Sequence, residues 1–134
     1  MRNAQSSLLY NWFEDVWNKS DENAIDQLMT DDAEFHGIDT EDGGKGATGF
    51  KLFFRDFSRQ LKDIRIDVEE VISQDDMESA RTVISAIHRE TNKPITFSGI
   101  CMVRVENGKI AEAWNSYDFL SLYQQLGKKL VDSE

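Results

Sequence analysis

The stretch Lys109–Gly127, KIAEAWNSYDFLSLYQQLG, begins as a strand and ends as a helix. Just before it, Asn107-Gly108 is the residue pair that a two-residue type I′ hairpin favours, because both central positions need positive φ. Lys109 to Tyr117 is therefore predicted as the last strand, hairpinned to one over Ile95 to Val105. Phe119 to Leu126 is predicted as a closing helix, with Gly127 suited to its C-cap. Asp118 stands at the join. It is either the N-cap of that helix or a carboxylate aimed into a pocket. Strand parity bears on the choice. In a regular strand Trp114, Ser116 and Asp118 share a face with Ile110 and Glu112, while Asn115 and Tyr117 share the other. Trp114 and Ile110 point to theirs as the inner face.

Further upstream the chain is a run of strands. Ile64, Ile66 and Val68 alternate with Arg65, Asp67 and Glu69; the alternation fails at Val71-Ile72, which suggests a bulge or burial on both faces. Gln74-Asp75-Asp76 turns the chain into a long strand over about Ser79 to Glu90, and Thr91-Asn92-Lys93-Pro94 turns it again. The first half is helical instead. Leu8, Leu9, Trp12, Phe13, Val16 and Trp17 form one wide apolar face. Ser20 or Asp21 can cap a second helix with the stripe Ala24, Ile25, Leu28 and Met29. A short strand over Ala33 to Ile38, the loop EDGGKGATG, and a third amphipathic helix marked by Phe50, Phe53, Phe54, Phe57 and Leu61 follow. Segregated helices and tightly joined strands predict an α+β fold of one domain, residues 1–134, with a bent, mostly antiparallel sheet closed by helices into a cone.

Composition narrows the function classes. The chain has 134 residues, is 40% hydrophobic, and carries three Trp, three Tyr and eight Phe, enough for one real core. A net charge of -10 argues against nucleic-acid binding and against docking on anionic membranes. No apolar run approaches the ~20 residues of a membrane span, and the N-terminus reads as an amphipathic helix rather than a signal peptide. The single cysteine, Cys101, fits a reducing cytoplasm, and its apolar neighbours make it a small core residue.

The element order over essentially the whole chain, together with Gly108-Lys109-Ile110-x-Glu112-x-Trp114, then Asp118, then Gln125-Leu126-Gly127, resembles the SnoaL-like, polyketide-cyclase-like branch of the NTF2-like superfamily. The aromatic first helix and the Phe-rich third helix support the resemblance. It implies an NTF2-like cone, a small apolar or aromatic ligand, and an aspartate at the end of the last strand as catalytic acid/base. That fold also hosts isomerases, dehydratases and binding modules.

The expected site follows. Asp118 at the rim of an apolar pocket would have a raised pKa, useful to a general acid/base, with His36 or His88 assisting. His36 precedes Gly37 near the expected pocket mouth, and His88 shares parity with Thr82, Ile84 and Ala86; packed or half-exposed roles are the competing readings for both. Glu112 lies about 20 Å from Asp118 along an extended strand, too far to share a proton, and suits a sheet-surface residue or a partner for a nearby arginine. Trp17, Phe53, Phe57 and Trp114 are expected to include pocket-lining residues, with Tyr10 and Tyr117 as weaker candidates for polar handles. No metal-ligand spacing is present, and nothing demands a cofactor. The loop GGKGATG fails the phosphate-loop pattern, since Lys45 is followed by Gly46; it reads as a connection, or a lid over the pocket. Two functions stand side by side. One is an acid/base cyclase acting on a carbonyl-activated substrate, not separable from an isomerase or dehydratase. The other is a non-catalytic ligand-binding or interaction module. A homodimer through the outer sheet face, which carries Val83 and Ile87, is expected with either.

Overall fold

The structure, a computed structural model, describes residues 7–38 and 46–127. Helix α1 (Leu8–Trp12) runs directly into a wider π-helical stretch, Phe13–Asn18. The sequence contains the reason. Its apolar pairs recur every four residues, and in an α-helix of 3.6 residues per turn such pairs drift around the axis by about 40° per repeat. Winding part of the helix with i→i+5 bonds, such as Lys19 N–H to Glu14 O at 2.9 Å, takes that drift back. Leu9, Trp12, Phe13, Val16 and Trp17 all end up buried.

Helix α2 (Asn23–Leu28) leads straight into strand β1 (Met29–His36), and α3 (Gly46–Gln60) carries the chain to β2 (Leu61–Gln74). Strands β3 (Met77–His88), β4 (Pro94–Glu106) and β5 (Lys109–Tyr117) follow, then α4 (Phe119–Gln125). The sheet order is β1-β5-β4-β3-β2, antiparallel except for the parallel pair β1·β5. The Asn107-Gly108 turn has the positive φ at both positions that its sequence requires, 52° and 78°. Leu61, read as the end of the third helix, instead opens β2 and pairs with His88.

The sheet curves because four irregularities interrupt it. One lies between Met29 and Glu34 in β1, two lie in β2, and one lies in β5. Extra residues in one strand bend it and increase its twist. The failure of alternation expected at Val71-Ile72 falls earlier, between Val68 and Glu70. In β5, Val105 pairs with Ile110 but Arg104 pairs with Glu112, so Ala111 is the extra residue. That residue inverts the parity of the rest of the strand. Ile110 is inward and buried, yet Ala113, Asn115 and Tyr117 also face inward, whereas Glu112, Trp114, Ser116 and Asp118 lie on the outer side or beyond the strand.

The concave face of the sheet packs on the aromatic helices. Trp17 is the hub: its ring lies 4.9 to 6.2 Å, centroid to centroid, from Phe50, Phe53, Phe54 and Phe57. On the far side, the buried Glu78 of β3 accepts from the N–H groups of Leu8 (3.3 Å) and Leu9 (3.0 Å), while Ser7 Oγ accepts from Tyr10 N–H. Donors that a helix start leaves without intrahelical partners are thus satisfied, and α1 is tied to the sheet. No helix among the described residues is long and apolar enough to cross a membrane.

Candidate functional site

Between the helices and the concave face lies a cavity of about 50 Å³, counted as room for the centres of water-sized molecules. That is several times the roughly 10–15 Å³ one water needs. Its walls are mostly rings: Trp12, Trp17, Phe35, Phe50, Phe53, Phe57, Phe97 and Phe119. The sheet contributes Ile66, Ile84, Cys101, Ala113, Asn115 and Tyr117. Ile38, Phe53, Phe57 and Phe119 also line an adjoining groove between α3 and α4, where the exposed Asp56 sits. No carboxylate or histidine lines the cavity itself among the described residues.

Tyr117 is placed by a glycine. Val68, Thr82, Gly99 and Tyr117 stand in one row across β2, β3, β4 and β5. A Cβ on Gly99 would lie 2.1 Å from Tyr117 Cδ1, so the ring occupies the space a side chain at position 99 would take. The tyrosine thereby leans across β4 toward Thr82, its neighbour but one in the row. Burial pushes its phenol well above the ordinary value, with Cys101 adding to the rise and Thr82 opposing it. Burial likewise pushes the Cys101 thiol up to about 12, so it stays protonated and is no nucleophile near neutral pH. Asn115 Nδ2 donates to the His36 carbonyl at 2.9 Å. The positive φ of Gly37, 87°, lets β1 approach closely there, since a Cβ on Gly37 would fall 1.9 Å from Asn115 O.

Three of the residues expected to line the pocket do so: Trp17, Phe53 and Phe57. Trp114 does not. The Ala111 bulge sends it to the outer face, where its ring stacks on His36 at 5.7 Å. Tyr10 is half-buried in a separate surface groove beside Glu14, Asn18 and Arg65. Asp118 is exposed, and its Oδ1 accepts from Ser121 N–H at 3.0 Å, the geometry of an N-cap. His88 has the inner-face parity but sits at the end of β3, its Nδ1 2.9 Å from Thr91 Oγ1. His36 is on the outer face, with Nε2 2.9 Å from Glu112 Oε2. The lid reading of the glycine-rich loop falls, for residues 39–45, outside the described residues.

Glu34, His36 and Glu112 each bring one ligand atom within 4.8 Å of the others, the one such cluster among the described residues. It is exposed on the outer face, and Arg104 Nη2 lies 3.8 Å from Glu112 Oε1. Arg104 is thus the expected arginine partner of Glu112, beside the His36 hydrogen bond to the same carboxylate.

Sequence reasoning ranked Tyr117 low and passed over Asn115. One signal pointed to them. Without a bulge, the two-residue hairpin sets Arg104 opposite Ala111 and apolar Val103 opposite Glu112. An extra residue at Ala111 instead pairs Arg104 with Glu112 and Val103 with Ala113, as cross-strand chemistry prefers.

Fold and cavity together define a class: a curved α+β cone of the NTF2-like, ketosteroid-isomerase-like type, closed over an aromatic pocket. Within that class, a family model described as SnoaL-like polyketide cyclase matches residues 7–126, and the chain belongs to this family. No curated protein matches it in sequence. Among solved structures, a Bacillus cereus protein proposed to be a polyketide cyclase superposes with TM-score 0.81 at 27% identity, covering 92% of this chain and 80% of that one. TsrD from Streptomyces laurentii gives 0.80 at 19% identity, covering 95% and 97%. A Catenulispora acidiphila protein with a ketosteroid isomerase-like fold, in complex with trimethylamine, gives 0.79 at 13% identity, covering 92% and 95%.

Proposed function

We propose that the chain binds a small, largely apolar, polyketide-like carbonyl compound in the aromatic cavity and promotes its ring closure by holding it folded. The observation that carries this reading is the cavity itself, walled by rings from both helices and sheet and dotted with a few neutral polar groups. Such a lining is what small-molecule sites share. In an intramolecular aldol closure the methylene between two carbonyls gives up a proton, its carbon bonds to a third carbonyl carbon, and that oxygen takes a proton up. The methylene is acidic enough that orientation supplies much of the acceleration. In this reading Asp118 acts from outside the cavity, as a helix cap, and the proton passes through water at the mouth.

The test is a synthetic linear chain of alternating carbonyls and methylenes, with ring closure followed by absorbance. Wild type and Asp118→Asn should accelerate closure equally, and Ala113→Phe, which fills the cavity, should abolish the effect. Loss of activity in Asp118→Asn with the fold intact would return the aspartate to the chemistry. Binding without turnover, the reading of a ligand-binding module, draws support from the absence of carboxylate and histidine from the lining among the described residues. Saturable binding with no acceleration would establish it.

A second copy of the chain is proposed to cover the outer sheet face. Ile72, Ile100 and Met102 are exposed there, and the cross-strand run Ile72, Ser79, Met102, Trp114 spans four strands. A monomer by light scattering at micromolar concentration would remove this claim.

A further inference from the structure

The outer sheet face carries a side-chain cluster that the cavity does not use. We propose that Glu34, His36 and Glu112 bind one divalent transition-metal ion, of the zinc or nickel kind, which clamps the edge strand β1 to β5. This site is independent of the cavity and of ring closure.

Register brings the three residues together. In the parallel pair β1·β5, Glu34 stands opposite Glu112, Phe35 opposite Ala113 and His36 opposite Trp114. Phe35 and Ala113 line the cavity, so their neighbours Glu34, His36 and Glu112 project from the other face. The extra residue at Ala111 is what turns Glu112 to that side. No spacing along the sequence announces the set, because two strands supply it. One ligand atom from each residue lies within 4.8 Å of the other two, and His36 Nε2 is already 2.9 Å from Glu112 Oε2. Donor atoms about 2.0–2.2 Å from one tetrahedral ion stand about 3.3–3.6 Å apart. The exposed Glu34 carboxylate therefore has at most about 1.5 Å to move.

Charge points the same way. Glu34 and Glu112 are like charges directly opposite one another, which repel. The nearby donors serve only one of them: His36 hydrogen-bonds Glu112 Oε2, and Arg104 Nη2 approaches Oε1 at 3.8 Å. Glu34 has no hydrogen bond or ion pair among the described residues. A dication between the carboxylates removes the repulsion. Arg104 stays on Oε1, Oε2 turns to the metal, and the imidazole ligates through the Nε2 lone pair as its Nδ1–H tautomer. The imidazole also sets the class of ion. Magnesium and calcium take oxygen ligands, whereas zinc, nickel and copper accept nitrogen. The ring is held in place, stacked on Trp114 at 5.7 Å, with the His36 carbonyl bound by Asn115.

That stacking supplies the readout. Trp12 and Trp17 are buried in the core, so an ion on the outer face meets Trp114 first. The experiment titrates the full, untagged chain with Ni2+, which quenches tryptophan emission, and then adds Zn2+, which does not. One Ni2+ per chain should bind saturably and quench part of the emission. Zn2+ should restore it, and about a hundredfold excess of Mg2+ should not. Glu34→Gln and His36→Gln should each weaken Ni2+ binding by at least about tenfold, the least that loss of even a supporting group costs a metal site. His88→Gln, which removes the other histidine, should leave it unchanged. Trp114→Phe should abolish the quench while calorimetry still finds Ni2+ bound. Free Zn2+ about a hundredfold above its Kd should raise Tm by at least about 5 °C in wild type and not in His36→Gln. Glu34 and His36 are both exposed, and either variant decides the matter if the other fails to fold. Absence of saturable binding, a stoichiometry other than one, affinity indifferent to Glu34→Gln and His36→Gln, displacement by Mg2+ as readily as by Zn2+, or an unmoved Tm would each overturn the inference.

Discussion

Gly99→Ala probes the placement of Tyr117 more sharply than any change to the tyrosine itself. The new Cβ would lie 2.1 Å from Tyr117 Cδ1, 2.8 Å from Cε1 and 2.8 Å from Ser116 O. Ordinary contact begins near 3.4 Å, so the ring must retreat by at least about 1.3 Å. Its backbone cannot follow, because Gly99 and Tyr117 are registered partners in β4·β5. The ring is also packed against Phe97 and Phe119, at centroid distances of 6.5 and 5.9 Å. The retreat therefore lifts it off Thr82 and into the cavity. Overpacking of this kind costs about 1–3 kcal/mol, a fall in Tm of about 4–12 °C for a domain of this size. The assay is a double-mutant cycle by urea denaturation over Gly99→Ala, Tyr117→Ala and the pair. Once the ring is gone, the 2.8 Å approach to the Ser116 backbone oxygen remains, so Gly99→Ala still destabilises, but by at least about 1 kcal/mol less than in wild type, which is the coupling. Additivity within about 0.5 kcal/mol would refute the reasoning, since the ring would then not be what fills the space over Gly99.

Other consequences follow from the same geometry. Asp118→Ala should destabilise by about 0.5–2 kcal/mol through loss of the Ser121 cap, whereas Asp118→Asn, itself a good cap, should stay within about 0.5 kcal/mol of wild type by thermal denaturation. Glu78→Ala should cost about 2–3 kcal/mol, because it strips the acceptor from the Leu8 and Leu9 N–H groups, and Glu78→Gln should cost less than half of that. Alkali should unfold the protein through Cys101. Its pKa is raised on folding, to about 12, so burial is without penalty below the unfolded value near 9 and is opposed as pH climbs from there toward 12. The loss approaches about 1.4 kcal/mol per pH unit, and Cys101→Ala should flatten the stability profile between pH 9 and 10, before Tyr117 adds its own contribution in the same direction. A profile equally steep in the variant would show that the thiol is not buried as described.

Much of the fold was legible in the sequence because each signal was local. Asn107-Gly108 demanded positive φ, the apolar pairs from Leu8 to Trp17 demanded a helix, and the phenylalanines from Phe50 to Phe57 marked another. Part of the cavity was legible for the same reason, since Trp17, Phe53 and Phe57 lie on faces set by helical periodicity. The sheet side was not. Parity counted along β5 holds only until an extra residue interrupts it, and Ala111 offers no local mark: an alanine is as comfortable in a bulge as in a regular strand. Trp114, taken as an inner residue, was therefore assigned to the wrong face. Tyr117 and Asn115, which line the cavity, were undervalued for the same cause. The π-helical stretch was written in the four-residue repeat, but an apolar stripe is compatible with either winding until it is packed against a surface.

The account depends on the inward face of β5 being Ala113, Asn115 and Tyr117, beside rings from α1 and α3. Intermolecular nuclear Overhauser effects from the methyl and ring protons of bound p-cresol test this directly. The account predicts contacts to Trp17, Phe57, Ala113 and Tyr117, and none to Trp114 or to the Asp118 methylene. Contacts to Trp114 or Asp118, or a bound ligand with no contact to Tyr117, would contradict it.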